Sequence, residues 1–190
     1  MTVLPTPSQT VGPFYGYALP FPCGPEMAPA GHPDTLTVHG QVLDGGGEPV
    51  PDALLEFWQP APGGSRTGAP GSMRRDPVTG GHLGRDGLTF TGFGRVATDA
   101  EGRWVVRTLP PGGVPYLSVC VFARGLLHHL YTRVYLPDGP DGTSPPADPL
   151  LDSLAPDRRK TLIATGTAPR TYRFDIRLQG AGETVFLEFR

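Results

Sequence analysis

Several features that would point quickly to a function are scarce in this sequence. Cysteine is scarce, because the 190 residues include only two, Cys23 and Cys120. Two cysteines cannot form the dense disulfide framework of a small secreted domain, so we expect two free thiols. The first residues, MTVLPTPSQTVGPF, contain neither a basic region nor an apolar stretch as long as an export signal. We therefore expect a cytoplasmic protein.

Long hydrophobic runs and an excess of one charge are absent as well. No apolar run approaches the roughly 20 residues that a membrane-spanning helix needs. The formal net charge is -2 and the isoelectric point is near 6.2, with no run of like charges. Such a balance gives no electrostatic attraction to nucleic acid or to an anionic membrane. We expect neither partner.

Glycine and proline, by contrast, are abundant, with 27 and 24 residues. They follow no fixed repeat and separate short apolar runs, which argues against collagen and against plain disorder. Most of these runs have the length and the alternating pattern of strands; they cover 36–43, 53–58, 94–99, 103–109, 116–122, 126–136, 171–178 and 184–189. The pattern predicts an all-β fold, a β-sandwich of mostly antiparallel strands in a single domain.

The connections between the predicted strands are of several kinds. Residues 99–102 (DAEG) and 123–125 (ARG) carry turn residues and predict tight hairpins. One short helix is predicted in 148–162, with Asp148 as its N-cap and a break near Pro156. Residues 60–93 are too long and too rich in glycine for a hairpin loop, and such loops are usually functional.

The predicted domain organisation has two parts. Residues 1–34 are rich in proline and predict an arm that packs on a partner chain. Residues 35–190 contain all the predicted strands and form the sandwich domain. At this length, one domain with a hydrophobic core is expected rather than two.

The stretch LLHHLYTRVYL, residues 126–136, raises the question of a metal site. Side chains alternate between the two faces of a strand, so His128 and His129 cannot both reach one ion. We interpret them as packing or surface histidines. Arg133 lies on the same face of the strand as His129, and this face is polar and aromatic. The guanidinium of Arg133 is suited to an anionic ligand such as a benzoate. An ordinary strand arginine paired with a carboxylate is the alternative.

A longer motif lies in residues 38–66, VHGQVLDGGGEPVPDALLEFWQPAPGGSR. Its aliphatic, glycine and acidic positions resemble the signature of intradiol ring-cleavage dioxygenases, iron enzymes that split catechols between the two hydroxylated carbons. The matching residues are Val38, Gly40, Val42, Gly47, Val50, Leu55, Glu56, Phe57 and Gly64. The signature of that family ends at a tyrosine that binds iron, and here this place is held by Arg66. A guanidinium stays protonated and has only donors, so it cannot be a ligand.

The other ligands of that family are missing too. Its His-x-His pair falls on Tyr116 and Ser118, and no His-x-His occurs in the sequence. Its second ligand tyrosine would fall within residues 109–115, LPPGGVP, which contain no aromatic residue. The resemblance thus implies that this chain binds no metal.

The resemblance extends over TPSQTVGPFYGYAL, FTGFGRVATDAEGRW, VFARGLLHHLYTRVYLPD and YRFDIRLQGAGETVFLEF. These segments are similar to the iron-free chain of family members that consist of two homologous chains and act with O2 on 3,4-dihydroxybenzoate. The resemblance implies that Fe(3+) is bound by the iron-bearing beta subunit and that this chain alone is inactive. Its own contribution would be to shape the active site of a hetero-oligomer.

The resemblance also implies which residues of this chain approach the substrate. They are Thr10, Gly12, Pro13 and Phe14 in the arm, together with Arg133 on the strand. A Gly-Pro pair can bring backbone and a rigid ring close to a flat aromatic molecule, but the arm could equally be a brace between subunits. Two rival functions stay open: a non-enzymatic β-sandwich that binds small molecules, and a homo-oligomeric intradiol dioxygenase with atypical ligands.

Overall fold

A computed structural model describes residues 7, 9, 10, 12, 14–67, 73–137 and 147–189. Within these residues, the strands in chain order are β1 Leu36–Leu43, β2 Leu54–Trp58, β3 Met73–Arg75, β4 His82–Arg85, β5 Phe93–Ala97, β6 Arg103–Thr108, β7 Tyr116–Phe122, β8 Leu130–Tyr135, β9 Thr165–Ala168, β10 Thr171–Arg173 and β11 Ile176–Arg177. The helices are α1 Tyr15–Ala18, α2 Pro149–Ser153 and α3 Pro156–Lys160.

Two sheets form the sandwich. In the first, β1 pairs antiparallel with β6 along one edge and parallel with β10 and β11 along the other, and β9 continues beyond β10. The second sheet has the order β5-β2-β7-β8, and all its pairs are antiparallel. The prediction of an all-β sandwich with mostly antiparallel strands is confirmed.

The core lies between the two sheets because side chains alternate along each strand. Burial follows this period closely along β1 and β6. Val38 and Val106 from the first sheet and Phe57 and Leu117 from the second are fully buried in one cluster. The other face of each strand points outward from the sandwich. On the second sheet, this outward face carries the candidate site.

The predicted strands differ from the observed ones in several places. The turn at 99–102 forms, but it connects β5 in one sheet to β6 in the other, so the predicted hairpin there is wrong. The hairpin between β7 and β8 is correct, although β8 starts only at Leu130 and both histidines lie before it. Residues 184–189 form a single bridge at Leu187 instead of a strand.

The long connection 60–93 contains structure that its composition did not predict. Strands β3 and β4 form a small hairpin there, closed by a turn in which the Asp76 carboxylate accepts the backbone N–H groups of Val78 and Thr79. Arg85, at the end of β4, is buried and donates to the carbonyls of Met27 and Thr89. The hairpin is thereby tied to the segment before β1.

The predicted helix forms as two short pieces. Asp148 accepts the backbone N–H of Leu150 and caps α2, as predicted. The chain then extends at Leu154 before α3 begins at Pro156. In the part of the chain that the structure describes, no helix has the length and the hydropathy needed to cross a bilayer.

Much of the described arm packs on this chain's own domain. The Tyr15 hydroxyl donates to the Asp52 carbonyl at 2.5 Å, and Met27 is fully buried in the core. Backbone hydrogen bonds connect Gly24 to Arg95 on β5 and Met27 to Arg107 on β6. Residues 15–28 are thus fixed by their own sandwich, while the packing of residues 1–34 on a partner stays a prediction.

Candidate functional site

The outward face of the second sheet gathers polar and aromatic side chains. The residues that alternate with the core positions of β2, β7 and β8 are Glu56, Trp58, Tyr116, Ser118, Cys120, Tyr131 and Arg133. Trp58 is 56% exposed although it is a large aromatic residue. A face of this composition is unusual for a sheet surface in contact only with water, so it is the candidate functional surface.

The three residues at the predicted ligand positions meet around one pocket on this face. Arg66 comes from the loop after β2, and Tyr116 and Ser118 come from β7. The pocket has a volume of about 210 Å³ and is also lined by Trp58. Two separate parts of the sequence therefore converge at the place that the resemblance identified.

The donor set of this pocket does not fit ferric iron. Such an ion prefers anionic or neutral donors such as phenolate and imidazole, whereas Arg66 supplies a cation. A second guanidinium, that of Arg133, lies 4.1 Å from the centre of the Tyr116 ring. Across the described ranges, no group of three or more His, Cys, Asp and Glu side chains is arranged to hold a metal.

Arg133 is held in place by its own chain. It lies opposite Ser118 in the β7–β8 register. Its guanidinium donates to the Tyr135 hydroxyl at 3.0 Å and lies 3.6 Å from the carboxylate of Asp148. The side chain is 25% exposed. Arg133 thus combines an internal carboxylate partner with an accessible edge, and its predicted contact with substrate stays a prediction.

The protonation states around Arg133 are well defined. Burial raises the pKa of Tyr135 to about 12, and its hydrogen bond to Asp148 acts in the same direction. The phenol therefore stays neutral and donates to Asp148 at 2.9 Å. Burial alone would lower the pKa of Arg133, but the hydrogen bond from Arg133 to Tyr135 and the nearby charges outweigh it and raise that pKa. Arg133 is a fixed cation at working pH.

A groove of about 530 Å³ continues from this pocket across β2, β7 and β8. Its walls include Trp58, Arg133 and the exposed ring of Phe189. His129 contacts the edge of Tyr131, with ring centres 4.7 Å apart, and both line the groove. The predicted grouping of His129, Tyr131 and Arg133 on one face is therefore observed.

Tyr135 departs from that grouping because its end of the sheet is covered. It is fully buried with Leu151, Leu162 and Val185 in a second, smaller core beneath the C-terminal helices. Tyr135 is therefore not among the residues that line the groove. The alternating pattern alone does not predict this burial, because it treats every position of a face alike.

Both cysteines are free thiols, as predicted. Cys120 points from β7 into the groove but is buried, and burial, aided by the charge of Glu56, raises its pKa to about 12. A thiol of such high pKa is a poor nucleophile, because the thiolate is the reactive form. The groove thus contains no activated cysteine.

The described arm residues Thr10, Gly12 and Phe14 are not among the residues that line this groove. Thr10 and Phe14 are exposed, Phe14 to 77%, and Pro13 lies outside the described residues. Gly12 has a φ of 71°, a backbone conformation that glycine adopts easily, and a side chain there would meet no atom within 4 Å. Thr10, Gly12 and Phe14 can therefore contact something other than their own sandwich.

Two residues of the candidate site, Asp148 and Trp58, were not identified from the sequence. Asp148 was predicted only as a helix cap, yet it also lies beside Arg133. Trp58 was part of the motif without being assigned a role. Its position two residues after Glu56 on the same strand could have placed it on the outward face.

This chain is similar to known dioxygenases. A family model described as Dioxygenase matches residues 12–129. The protocatechuate 3,4-dioxygenase alpha chain of Burkholderia cepacia is 39% identical over 98% of this chain and 98% of its own length. The beta chain of that enzyme, also from Burkholderia cepacia, is 29% identical over 80% of this chain and 67% of its own.

A solved structure agrees with the fold. The dioxygenase domain of a dioxygenase–carbohydrate-binding protein fusion from Streptomyces sp. SirexAA-E is 26% identical. It has a TM-score of 0.54 and covers 93% of this chain and 99% of its own. The sandwich described above is therefore shared with a dioxygenase domain.

Proposed function

The chain belongs to the intradiol ring-cleavage dioxygenase family, and we propose that it is the alpha chain of a protocatechuate 3,4-dioxygenase. The enzyme inserts both atoms of O2 into 3,4-dihydroxybenzoate and yields 3-carboxy-cis,cis-muconate. The observation that carries this proposal is the pocket lined by Arg66, Tyr116 and Ser118, the residues at the family's ligand positions, where the cation of Arg66 disfavours a ferric ion. The sequence similarity to a curated alpha chain supports it.

We place the ferric iron on a homologous beta subunit. A ferric ion held there would supply the activation of the catecholate toward O2. Arg66 lines the same pocket as Tyr116 and Arg133 lies against the Tyr116 ring, and both cations disfavour a second ferric ion in the present chain because like charges repel. This chain alone is inactive, and it functions in a cytoplasmic hetero-oligomer.

This chain contributes to substrate binding and shapes the active site. Arg133 presents an edge of its guanidinium to the groove, where it can pair with the substrate carboxylate. The arm residues Thr10, Gly12, Pro13 and Phe14 extend to the partner and cover its substrate. Support comes from the exposure of Phe14, a large hydrophobic side chain that its own domain leaves uncovered.

Co-purification tests this assignment against its rivals. The tagged chain is co-expressed with a homologous beta chain, and the purified material is assayed for composition, colour and ring cleavage. Two chains, a burgundy tyrosinate-iron colour and cleavage of 3,4-dihydroxybenzoate support the proposal. A colourless chain alone indicates a binding module, and a coloured homo-oligomer indicates a dioxygenase with atypical ligands.

The first prediction concerns iron. The isolated chain is expected to bind almost no iron after growth in iron-rich medium, because Arg66, Tyr116 and Ser118 stand at the ligand positions. Metal analysis of the pure chain measures this, and the co-purified complex is the positive control. Close to one iron per isolated chain would contradict it.

The second prediction concerns self-association. The isolated chain is expected to associate or aggregate, because Phe14 and Phe189 are each more than half exposed. Sedimentation velocity with and without the beta chain measures the effect. A stable monomer over the accessible concentration range would argue against an obligate partner.

A further inference from the structure

The pocket between Arg66 and β7 has polar donors that nothing in the described part of the chain satisfies. The Arg66 side chain has no hydrogen-bond or ion-pair partner among the described residues. The same holds for the hydroxyl groups of Tyr116 and Ser118. By contrast, the Gln59 amide that also lines the pocket donates to the Leu109 and Pro60 carbonyls and accepts from the Thr108 hydroxyl. Three free donors thus converge on one space.

The walls of this pocket are suited to a flat ring. Trp58 contributes an exposed indole, and Pro60 and Val114 contribute apolar surface. The volume of about 210 Å³ exceeds the roughly 150 Å³ of a cavity that accepts benzene. The volume is therefore sufficient for a single substituted ring.

The positive charge of the pocket favours an anionic ligand. Arg133 lies against the Tyr116 ring and already has a carboxylate partner in Asp148. Arg66 has no such carboxylate in the described structure, so its charge is available to a ligand. A planar guanidinium recognises a carboxylate through two parallel hydrogen bonds.

We propose that this chain uses its metal-free pocket to bind a single-ring aromatic carboxylate, with Arg66 on the carboxylate and Trp58 against the ring. Tyr116 and Ser118 donate hydrogen bonds to the remaining oxygen atoms. The replacement of ligand positions by Arg66, Tyr116 and Ser118 thus exchanges metal binding for anion binding. The proposal depends on the geometry of this chain and is independent of the proposed role as an alpha chain.

Calorimetric titration of the full-length chain with 4-hydroxybenzoate tests the proposal. This probe has a carboxylate and one ring hydroxyl, so it cannot be cleaved as a catechol. Saturable binding of one molecule per chain is expected. Arg66→Ala should weaken binding about tenfold or more, the effect of losing a hydrogen bond to a charged group. The variant should fold normally, because Arg66 is exposed and has no partner in the described structure.

Four controls test the separate parts of the proposal. Arg103→Ala removes an exposed arginine from the opposite sheet and should leave binding unchanged. Phenol, which has no carboxylate, should bind at least about tenfold more weakly, and inorganic phosphate should not compete. Ligand-induced quenching of tryptophan fluorescence should be lost in Trp58→Phe, because the other tryptophan, Trp104, is buried.

Several outcomes overturn the proposal. They are an absence of saturable binding, equal binding of phenol, full competition by phosphate, and equal losses in the Arg66 and Arg103 variants. None of them depends on a beta chain or on iron. A failure of the proposed function is seen instead in co-purification, so the two failures are distinguishable.

Discussion

Gly40→Ala is expected to lower the free energy of unfolding by about 3 kcal/mol or more, or to prevent folding altogether. A Cβ atom at Gly40 would overlap the carbonyl oxygen of Phe174 and lie 2.6 Å from its carbonyl carbon. Both neighbours are backbone atoms, and the Phe174 N–H donates to the His39 carbonyl at 2.8 Å. The parallel pairing of β1 and β10 would have to open to make room. Urea denaturation measures the loss.

Gly63→Ala is the matched control. It adds the same methyl group in an exposed loop where no atom lies within 4 Å. Its effect on the free energy of unfolding should stay within about 0.5 kcal/mol. Similar losses in both variants would show that the cost comes from the backbone preference of glycine rather than from the close approach of Phe174.

Strands β1 and β7 have the bounds that the sequence predicted. Burial alternates over all eight positions of β1, and along β7 it alternates except at Cys120, because one face of each strand packs in the core. A one-residue shift would turn every buried side chain outward, so the pattern specifies the strand strongly. The same alternation placed Tyr116, Ser118 and Arg133 on the outward face.

Long-range pairing could not be predicted in the same way. Residues 171–178 read as one strand, yet they form β10 and β11, separated at Phe174 and Asp175 and parallel to β1. Turn residues at 99–102 define a sharp reversal, but they do not decide whether the following strand stays in the same sheet. Such choices depend on how the whole sandwich closes, and local sequence contains little of that information.

The candidate site was predictable where it depended on residue type and less so where it depended on packing. Arg66 could be excluded as a ligand by its chemistry alone. The pairing of Arg133 with Asp148 connects β8 to a helix cap 15 residues later, across residues 138–146, whose placement is not described. The resemblance suggested an arginine facing substrate, and the structure adds the carboxylate that orients it.

Arg133→Ala in the assembled enzyme is expected to weaken transition-state binding of 3,4-dihydroxybenzoate by about 1.5–3 kcal/mol, the usual size for a hydrogen bond to a charged group. The loss should appear mainly in kcat/KM and be smaller for catechol, which has no carboxylate to lose. The fold should survive, because Asp148 keeps its bonds to Tyr135 and to the Leu150 N–H. Steady-state kinetics with both substrates, together with iron analysis, measures these effects.

Two further variants distinguish a substrate-binding role of Arg133 from a structural role. Arg133→Lys restores the charge but not the two-pronged geometry, so recovery of kcat/KM should be partial. Arg124→Ala removes an exposed arginine that pairs with Asp52 just beyond β7, and it should leave the kinetics unchanged. Equal losses for both substrates at unchanged iron content would assign Arg133 a structural role with Tyr135 and Asp148. A loss confined to the carboxylate-bearing substrate places the guanidinium on that carboxylate, because no other part of the two substrates differs.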